Sequence, residues 1–317
     1  MTRSATQTKG TGTASDLASP TGAAKQRPGD RWFSGTALFA GSMILVTLAA
    51  VAIFLIVQSL PGLSATSENA SILSGSFWDY VGPLVFGTVW SAALALLIAV
   101  PISIGVALFI SHYAPRRLAQ GLGYVVDLLA AVPSVVFGLW GIGVLAPAAQ
   151  PLYSWLVDNA SWFPLFSGPV SSTGRTIFTA AIVLAVMVIP IITAICREIF
   201  LQTPVLHEEA ALALGATRWE MIRMAVLPFG RSGIVSAAML GLGRALGETM
   251  AVAMVLSATG VVTFDLLTST NPSTIAANIA LVFPEAYGMN INVLIATGLI
   301  LFVVTFVVNA VARWVVN

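Results

Sequence analysis

Residues 83–110 read PLVFGTVWSAALALLIAVPISIGVALFI, a stretch without a single charged residue. A helix needs about 20 apolar residues to cross the hydrocarbon core of a bilayer, so this stretch is long enough to span a membrane. Of the 317 residues in the chain, 9% are charged and 57% are hydrophobic. Soluble domains carry about 25% charged residues. The composition therefore predicts a membrane protein and excludes a water-soluble enzyme.

Five further stretches are apolar and of similar length. They cover residues 36–57, 122–150, 176–196, 232–258 and 291–312. Transmembrane β-strands show short alternating segments of about 10 residues, which these stretches lack. We therefore predict an all-α integral membrane protein with six transmembrane helices. Pro101, Pro133 and Pro190 lie inside them, which membrane helices tolerate where neighbours satisfy the freed carbonyl groups.

The N-terminal residues 1–31 are rich in Ser, Thr, Gly, Ala and Gln. Segments with so few apolar side chains cannot offset the entropy lost on ordering. We predict a disordered cytoplasmic tail over residues 1–31, followed by a first transmembrane helix over residues 36–57.

The positions of Lys and Arg predict which side of the membrane each loop occupies. Twelve of the fourteen lie in segments 1–35, 111–117, 197–231 and 313–317. The other two are Arg244, inside the fifth stretch, and Arg175, next to a helix start. Because cytoplasmic loops are enriched in Lys and Arg, we expect both termini to be cytoplasmic.

The loops expected outside contain aromatic residues and one short apolar segment. We interpret the aromatic residues as an interfacial belt, comprising Trp78, Tyr80, Tyr153, Trp155, Trp162 and Phe163. The segment 275–283 is too short to span a bilayer, so an interfacial or re-entrant piece is predicted there.

The cytoplasmic loop 203–228 is predicted to form two short helices with a sharp bend. Pro204 fits the first position of a helix, and Gly215 can adopt the left-handed conformation that ends one. Thr217 and Glu220 have the spacing of a capping box, so a second helix should begin at once. Pro228 is expected to begin the next element.

Two interpretations of this loop remain open from the residues alone. It is either a capped connector or a docking element for a cytoplasmic partner. The second fits small side chains at Ala210 and Ala211 beside the carboxylate of Glu209, because small residues allow close approach in a groove.

The order Glu209-Ala210-Ala211, Gly215 and Leu227-Pro228 resembles the EAA motif of ABC importer permeases. Ala225 is a departure, because the family usually has an aliphatic residue such as Ile there. The resemblance implies a coupling helix that inserts into a cleft of an ATPase subunit. Glu209, Ala210, Ala211 and Gly215 would then transmit movement from ATP binding to the membrane helices.

Arg244 and Glu248 are ionisable residues inside the fifth apolar stretch. Such residues are costly at membrane depth and usually face a cavity or a partner. Because they are four residues apart on one helix, they would share a face and could form an ion pair that has no role in transport. Alternatively, Arg244 binds an oxyanion through its guanidinium group while Glu248 holds it in place or gates it. Asp127 is a further pathway candidate, although helix packing or an interfacial position fits it equally well.

Residues 241–252 (GLGRALGETMAV) and 127–141 (DLLAAVPSVVFGLWG) resemble the C-type permease subunits of Pst phosphate importers. The similarity covers about residues 83–316, so a type I ABC importer permease core is expected there. It implies that phosphate passes Arg244 and Glu248. It also implies an A-type permease as heterodimer partner, two ATPase subunits, an extracytoplasmic phosphate-binding protein and a multi-pass location in the plasma (inner) membrane.

No enzymatic site is predicted within the chain. Its only lysines, Lys9 and Lys25, follow Thr8 and Ala24 rather than the Gly of a P-loop. We therefore expect ATP and Mg²⁺ on a partner ATPase and no cofactor in this chain. One cysteine, Cys196, and two histidines predict no metal site, and a net charge of +1 predicts no nucleic-acid partner.

Three other functions stay open at this point. The nearest is a permease for another oxyanion, such as sulfate or molybdate. A secondary transporter or channel working without ATP would leave the loop 203–228 unexplained. In a membrane scaffold without a transport path, Arg244 and Glu248 would only pair with each other.

Overall fold

The structure of the protein is a computed structural model that describes residues 28–316. This part of the chain is helical and contains no β-strand. The helices are α1 (Pro28–Leu63), α2 (Phe77–Leu108), α3 (Arg116–Ala130), α4 (Ser134–Trp140), α5 (Ala146–Ala160), α6 (Ile177–Leu201), α7 (Val205–Ala213), α8 (Arg218–Met221), α9 (Leu227–Leu246), α10 (Met250–Val255), α11 (Ile275–Val282) and α12 (Met289–Val316). Single π-helical turns at Phe109–Tyr113, Gly141–Leu145 and Ile222–Val226 extend or join some of them.

Within the described residues, six continuous helical runs are long and apolar enough to cross a membrane. They are Trp32–Leu63, Phe77–Tyr113, Ser134–Ala160, Ile177–Leu201, Arg218–Leu246 and Met289–Trp314. The prediction of an all-α protein with six transmembrane helices is therefore confirmed, although several boundaries differ from the predicted ones.

The described residues divide into two compact units, one up to Ile53 and the other from Phe54 onward. In the first unit, α1 carries exposed apolar side chains such as Phe39 and Leu45, as expected of a helix that faces lipid. A tail was predicted over residues 1–31, and residues 1–27 of it lie outside the described part of the chain. From Pro28 the chain is already helical, because proline fits the first turn of a helix.

The core of the second unit is the packing of α2 against α6. Ala92, Ala95 and Ala99 are fully buried and lie three or four residues apart, so they form one stripe of small side chains along α2. Small residues let membrane helices approach closely. Ser103 Oγ also donates a hydrogen bond to the Ile189 carbonyl oxygen across the two helices, at 3.2 Å.

The segment between α10 and α11 is non-helical yet partly buried in the protein. The side chain of Asn271 is fully buried, and its Nδ2 donates to the Thr268 carbonyl oxygen at 2.8 Å. The Ile275 amide, at the start of α11, donates to Thr88 Oγ1 on α2 at 2.9 Å. Irregular backbone at membrane depth requires such internal partners. The short α11 therefore agrees with the predicted interfacial or re-entrant piece rather than with a seventh span.

The third predicted stretch, residues 122–150, is wrong as a single helix. The structure ends α3 at Ala130 and begins α4 at Ser134, with Pro133 as its N-cap residue. A proline disfavours helical geometry at the preceding residue, so the chain turns at Val132. The membrane-crossing run begins only after this turn, and Asp127 lies outside it on α3.

The predicted aromatic belt is wrong at one position. Trp78, Trp155 and Trp162 are exposed as expected, but Tyr153 is fully buried. Its hydroxyl group lies 2.7 Å from Thr179 Oγ1 on α6. A buried tyrosine hydroxyl needs such a hydrogen-bonding partner, so Tyr153 packs α5 onto α6.

Candidate functional site

The fifth predicted span is interrupted between its two ionisable residues, Arg244 and Glu248. We predicted one span over residues 232–258, but α9 ends at Leu246 and α10 begins at Met250. The break falls at Gly247, and Gly243 lies one turn before it. Glycine is a poor helix former, and a side chain that hydrogen-bonds the local backbone competes with the helix. Glu248 does so, because its Oε1 accepts a hydrogen bond from the Ala251 amide at 3.1 Å.

This interruption keeps Arg244 and Glu248 from sharing one continuous helical face. Glu248 is 7% exposed and satisfies its carboxylate on the α10 backbone. Arg244 is half-buried at the end of α9. In residues 28–316 no ion pair joins the two side chains. The ion pair that their spacing permits is therefore not formed here, because the helix ends between them.

Arg244 instead lines a cleft with a volume of about 1190 Å³. One wall follows α9, from Ser232 through Ser236 to Gly243 and Arg244, and Ile191 of α6 contributes to it. Facing residues on α12 include Asn309 and Arg313. None of the residues lining the cleft is acidic. The cleft therefore offers cationic and neutral polar groups that suit an anion.

Asp127 lies in a different place from the Arg244 cleft. Its Oδ2 is 3.8 Å from Nη2 of Arg197 near the end of α6, and the same Nη2 lies 2.8 Å from Glu198 Oε1. A Cβ at Gly123 on α3 would overlap the Arg197 guanidinium group. Asp127 therefore joins α3 to α6, which favours the helix-packing interpretation over a place in the pathway.

The loop 203–228 adopts the two predicted helices and the bend between them. Helix α7 ends before Gly215, whose φ of 87° is the left-handed conformation expected there. The Thr217 amide donates to Glu220 Oε2 at 2.8 Å, and the Glu220 amide donates to Thr217 Oγ1 at 3.3 Å. The predicted capping box is thus confirmed. Pro204 occupies the N-cap position of α7, one residue earlier in the helix than predicted.

Pro228 lies in the first turn of α9, as predicted, but no loop separates α9 from the helix before it. The helix runs without a break from Arg218 to Leu246. A π-helical turn, Ile222–Val226, directly precedes Leu227 and Pro228. Because proline has no amide hydrogen and crowds the preceding turn, this wider turn accommodates it within the helix.

The two adjacent carboxylates of α7 have different surroundings. Glu208 Oε1 lies 3.4 Å from His112 Nε2, in the π-helical turn that extends α2. Ser111 Oγ lies 2.7 Å from the other ring nitrogen of His112. Glu209, in contrast, is exposed. Glu208 therefore attaches α7 to the membrane-crossing α2, and Glu209 remains accessible to a partner.

The accessible surface of the loop is unusually apolar. Large side chains are exposed on and beside α7, including Leu206 at 74% and Leu214 at 90%. Ala210 is exposed next to Glu209, and Ala211 packs partly against the core. Exposed apolar groups beside a carboxylate are typical of a protein contact surface. The structure thus brings Glu209, Ala210, Ala211 and Gly215 together on one projecting loop, separate from Arg244.

Two features of the site were missed from the sequence. The contact between His112 and Glu208 joins residues distant in the chain, and only the position of a lone histidine just after the second span hinted at it. The interruption at Gly247 was signalled by Gly243 and Gly247, two poor helix formers one turn apart. In the described part of the chain, no three His, Cys, Asp or Glu side chains converge as a metal site would require.

The chain is similar to a known family of membrane proteins. Residues 99–317 match the family model described as "Binding-protein-dependent transport system inner membrane component". The chain is 49% identical over 300 residues to "Phosphate transport system permease protein PstC 2" of Mycobacterium tuberculosis, covering 90% of this chain and 91% of that protein. It is 47% identical over 297 residues to PstC of Mycobacterium leprae, covering 90% and 92%.

The fold is also similar to a solved structure of low sequence identity. This is the crystal structure of a bacterial ABC transporter involved in the import of the acidic polysaccharide alginate. The TM-score is 0.55 at 18% identity, and the match covers 90% of this chain and 99% of that chain. The similarity supports the predicted ABC importer permease fold.

Substituting either side chain of the His112–Glu208 contact should loosen α7. A partly exposed pair contributes about 0.2–1 kcal/mol, so His112→Ala or Glu208→Gln should speed α7 amide exchange by up to about fivefold. The double variant should exchange no faster than the single ones, because both remove the same contact. Hydrogen exchange measured by mass spectrometry over residues 205–216 tests this. Glu209→Gln is the matched control and should leave exchange unchanged, and equal effects of Glu208→Gln and Glu209→Gln would contradict the assignment.

Proposed function

The chain belongs to the family of binding-protein-dependent transport system inner membrane components, of the PstC type, and from that premise we propose that it is the permease subunit of an ATP-driven inorganic phosphate importer. Members of this family are multi-pass plasma-membrane permeases and not themselves enzymes. The observation that carries the proposal is the half-buried Arg244 in a cleft without an acidic lining residue. A guanidinium group offers several N–H donors to the oxygens of one phosphate.

Arg244 is proposed to bind phosphate as the ion loses its hydration shell. A charged group at membrane depth is stable only beside a cavity, water or a partner. Because Arg244 has no carboxylate partner in residues 28–316, its positive charge remains available to a passing anion. Glu248 is proposed to regulate this availability. In a helix continuous through Gly247 the two side chains would lie one turn apart and could pair, whereas the interruption separates them.

The loop 203–228 is proposed to couple the cleft to ATP hydrolysis on another chain. Its exposed Glu209, Ala210 and apolar side chains would enter a groove of an ATPase subunit that binds ATP and Mg²⁺. Two routes lead from α7 to the membrane. One is the Glu208–His112 contact with α2, and the other is the bend at Gly215 into the run that carries Arg244. Closure of two ATPase subunits would thereby move the walls of the cleft.

Further partners complete the proposed importer. The open cleft requires a second wall, which we assign to an A-type permease in a heterodimer. An extracytoplasmic phosphate-binding protein would deliver phosphate to the side opposite α7. This arrangement follows the orientation expected from Lys and Arg, with both termini and the loop 203–228 in the cytoplasm.

Replacing Arg244 by Gln should abolish phosphate uptake by the assembled importer. Gln keeps polar contacts but removes the charge. A charge-assisted hydrogen bond contributes about 3 kcal/mol of stabilisation, and its loss lowers the transport rate roughly 100-fold. Uptake of radiolabelled phosphate into proteoliposomes that contain the complete importer measures this. Arg244→Lys is the charge-preserving control and should retain part of the activity.

Co-purification of the ATPase subunits shows that the Arg244→Gln importer is assembled. Competition by sulfate in the wild-type assay separates a phosphate importer from one for another oxyanion. Normal phosphate uptake by assembled Arg244→Gln would mean that Arg244 has a structural role.

Replacing Gly215 by Pro should uncouple ATP hydrolysis from transport. Proline fixes φ near −65°, so it cannot adopt the φ of 87° at the bend between α7 and α8. The number of phosphate ions transported per ATP hydrolysed should fall severalfold, as measured by parallel uptake and ATPase assays. Gly215→Asn, which tolerates the left-handed conformation, should retain most of the coupling. An unchanged ratio in Gly215→Pro would argue against the coupling role.

A further inference from the structure

The wall of the cleft on α12 carries a second arginine that the proposed function does not use. Phe306, Asn309, Ala310 and Arg313 line the cleft from this side. They stand at positions i, i+3, i+4 and i+7, so they form one stripe along the helix. Arg313 and Arg244 are the charged residues of the lining, and both are cations.

The two arginines lie toward opposite ends of the cleft. From Ser232 to Arg244 the lining on α9 extends over 12 residues, which corresponds to about 18 Å of helix. The runs that contain α9 and α12 are consecutive membrane-crossing runs, so they traverse the bilayer in opposite directions. The C-terminal end of α12 therefore lies at the level of the N-terminal end of α9. Arg313 is thus near Ser232, and Arg244 is at the deep end.

The groups around Arg313 can bind an anion. The side chain of Asn309 is half-buried and that of Ser232 is exposed, and neither has a side-chain hydrogen bond to another described residue. A guanidinium group, an amide and a hydroxyl group supply donors to oxyanion oxygens. The side of the cleft that holds Arg313 is the cytoplasmic one in the orientation expected from Lys and Arg.

We propose that Arg313, Asn309 and Ser232 form a second phosphate-binding station at the cytoplasmic end of the cleft. This inference rests on the proposed function, since it receives the phosphate that Arg244 releases. Ion passage requires binding strong enough to admit the ion and weak enough, over several sites, to release it. A second cation lowers the barrier to departure from Arg244, and the exposed position of Arg313 allows release into the cytoplasm.

The same donors would also suit the phosphate of a lipid headgroup, since Arg313 lies near a helix end. The shared chemistry is a phosphate oxyanion, and the two sources respond differently to membrane composition. Transport past Arg313 would depend on this residue in any bilayer. Phosphatidylcholine also carries a phosphate, but its choline group cancels the net charge, so the effect of a lipid anchor at Arg313 should grow as anionic lipid is added.

The test measures radiolabelled phosphate uptake by the complete importer in vesicles made only of phosphatidylcholine. Arg313→Gln should lower the maximal rate roughly tenfold, as expected for loss of one partly exposed charged donor. The phosphate concentration for half-maximal uptake should stay unchanged, because capture occurs elsewhere. Arg313→Lys should recover part of the rate. Arg231→Gln is the matched control, an exposed arginine at the same end of α9 but outside the cleft, and should transport normally.

Asn309→Asp is a second variant that keeps the size of the side chain. It adds a negative charge beside Arg313, and should also lower the maximal rate while the ATPase subunits still co-purify. It keeps the proposal testable if Arg313→Gln fails to assemble.

The outcomes separate the two proposals. Loss of uptake in Arg244→Gln together with normal uptake in both Arg313→Gln and Asn309→Asp would overturn the second station and leave the proposed function intact. A defect of Arg313→Gln that appears only in vesicles with anionic lipid would overturn it in favour of a lipid headgroup. Absence of phosphate uptake by the wild-type importer would overturn the proposed function itself.

Discussion

The charge of Arg244 near the end of a membrane-crossing helix is the constraint on which the rest of the account depends. Hydrocarbon cannot solvate a guanidinium group, so protein, water or an anion has to do so. Within residues 28–316 no carboxylate pairs with Arg244, and the side chain borders a cleft whose mainly apolar lining includes two serines, an asparagine and a second arginine. The fold thus leaves a positive charge available at membrane depth, which is what passage of an anion requires.

The backbone around Arg244 explains how this charge remains unpaired. The helix ends at Gly247, and the Glu248 carboxylate accepts a hydrogen bond from the Ala251 amide in the first turn of α10. The same continuous run begins at Arg218, directly after the capped bend at Gly215. One rigid element therefore connects the exposed loop around α7 to the deep end of the cleft. Movement of α7 can reach the Arg244 cleft without a long chain of side-chain contacts.

Much of this architecture could be predicted from the sequence. Apolar length fixed the number of spans, and the capping box at Thr217 and the left-handed Gly215 were specified by local backbone chemistry. Predictions of helix continuity failed where hydropathy and the helix-breaking residues of the same stretch disagreed. Pro133 broke a stretch that hydropathy alone made continuous, and α9 ended at Leu246 inside a predicted span. The Glu208–His112 contact joins residues 96 apart in the chain, so only tertiary packing reveals it.

The solvent accessibility of the position next to Arg244 tests the central claim most directly. Gly243 lines the cleft, and a Cβ added there would meet no atom within 4 Å, so a cysteine fits. The native Cys196 is fully buried. In the assembled importer, a membrane-impermeant thiol reagent should modify Gly243→Cys, and inorganic phosphate should slow the reaction. A cysteine at this position that stays unmodified with and without ATP would show that Arg244 faces lipid or a sealed interface, and would contradict the account.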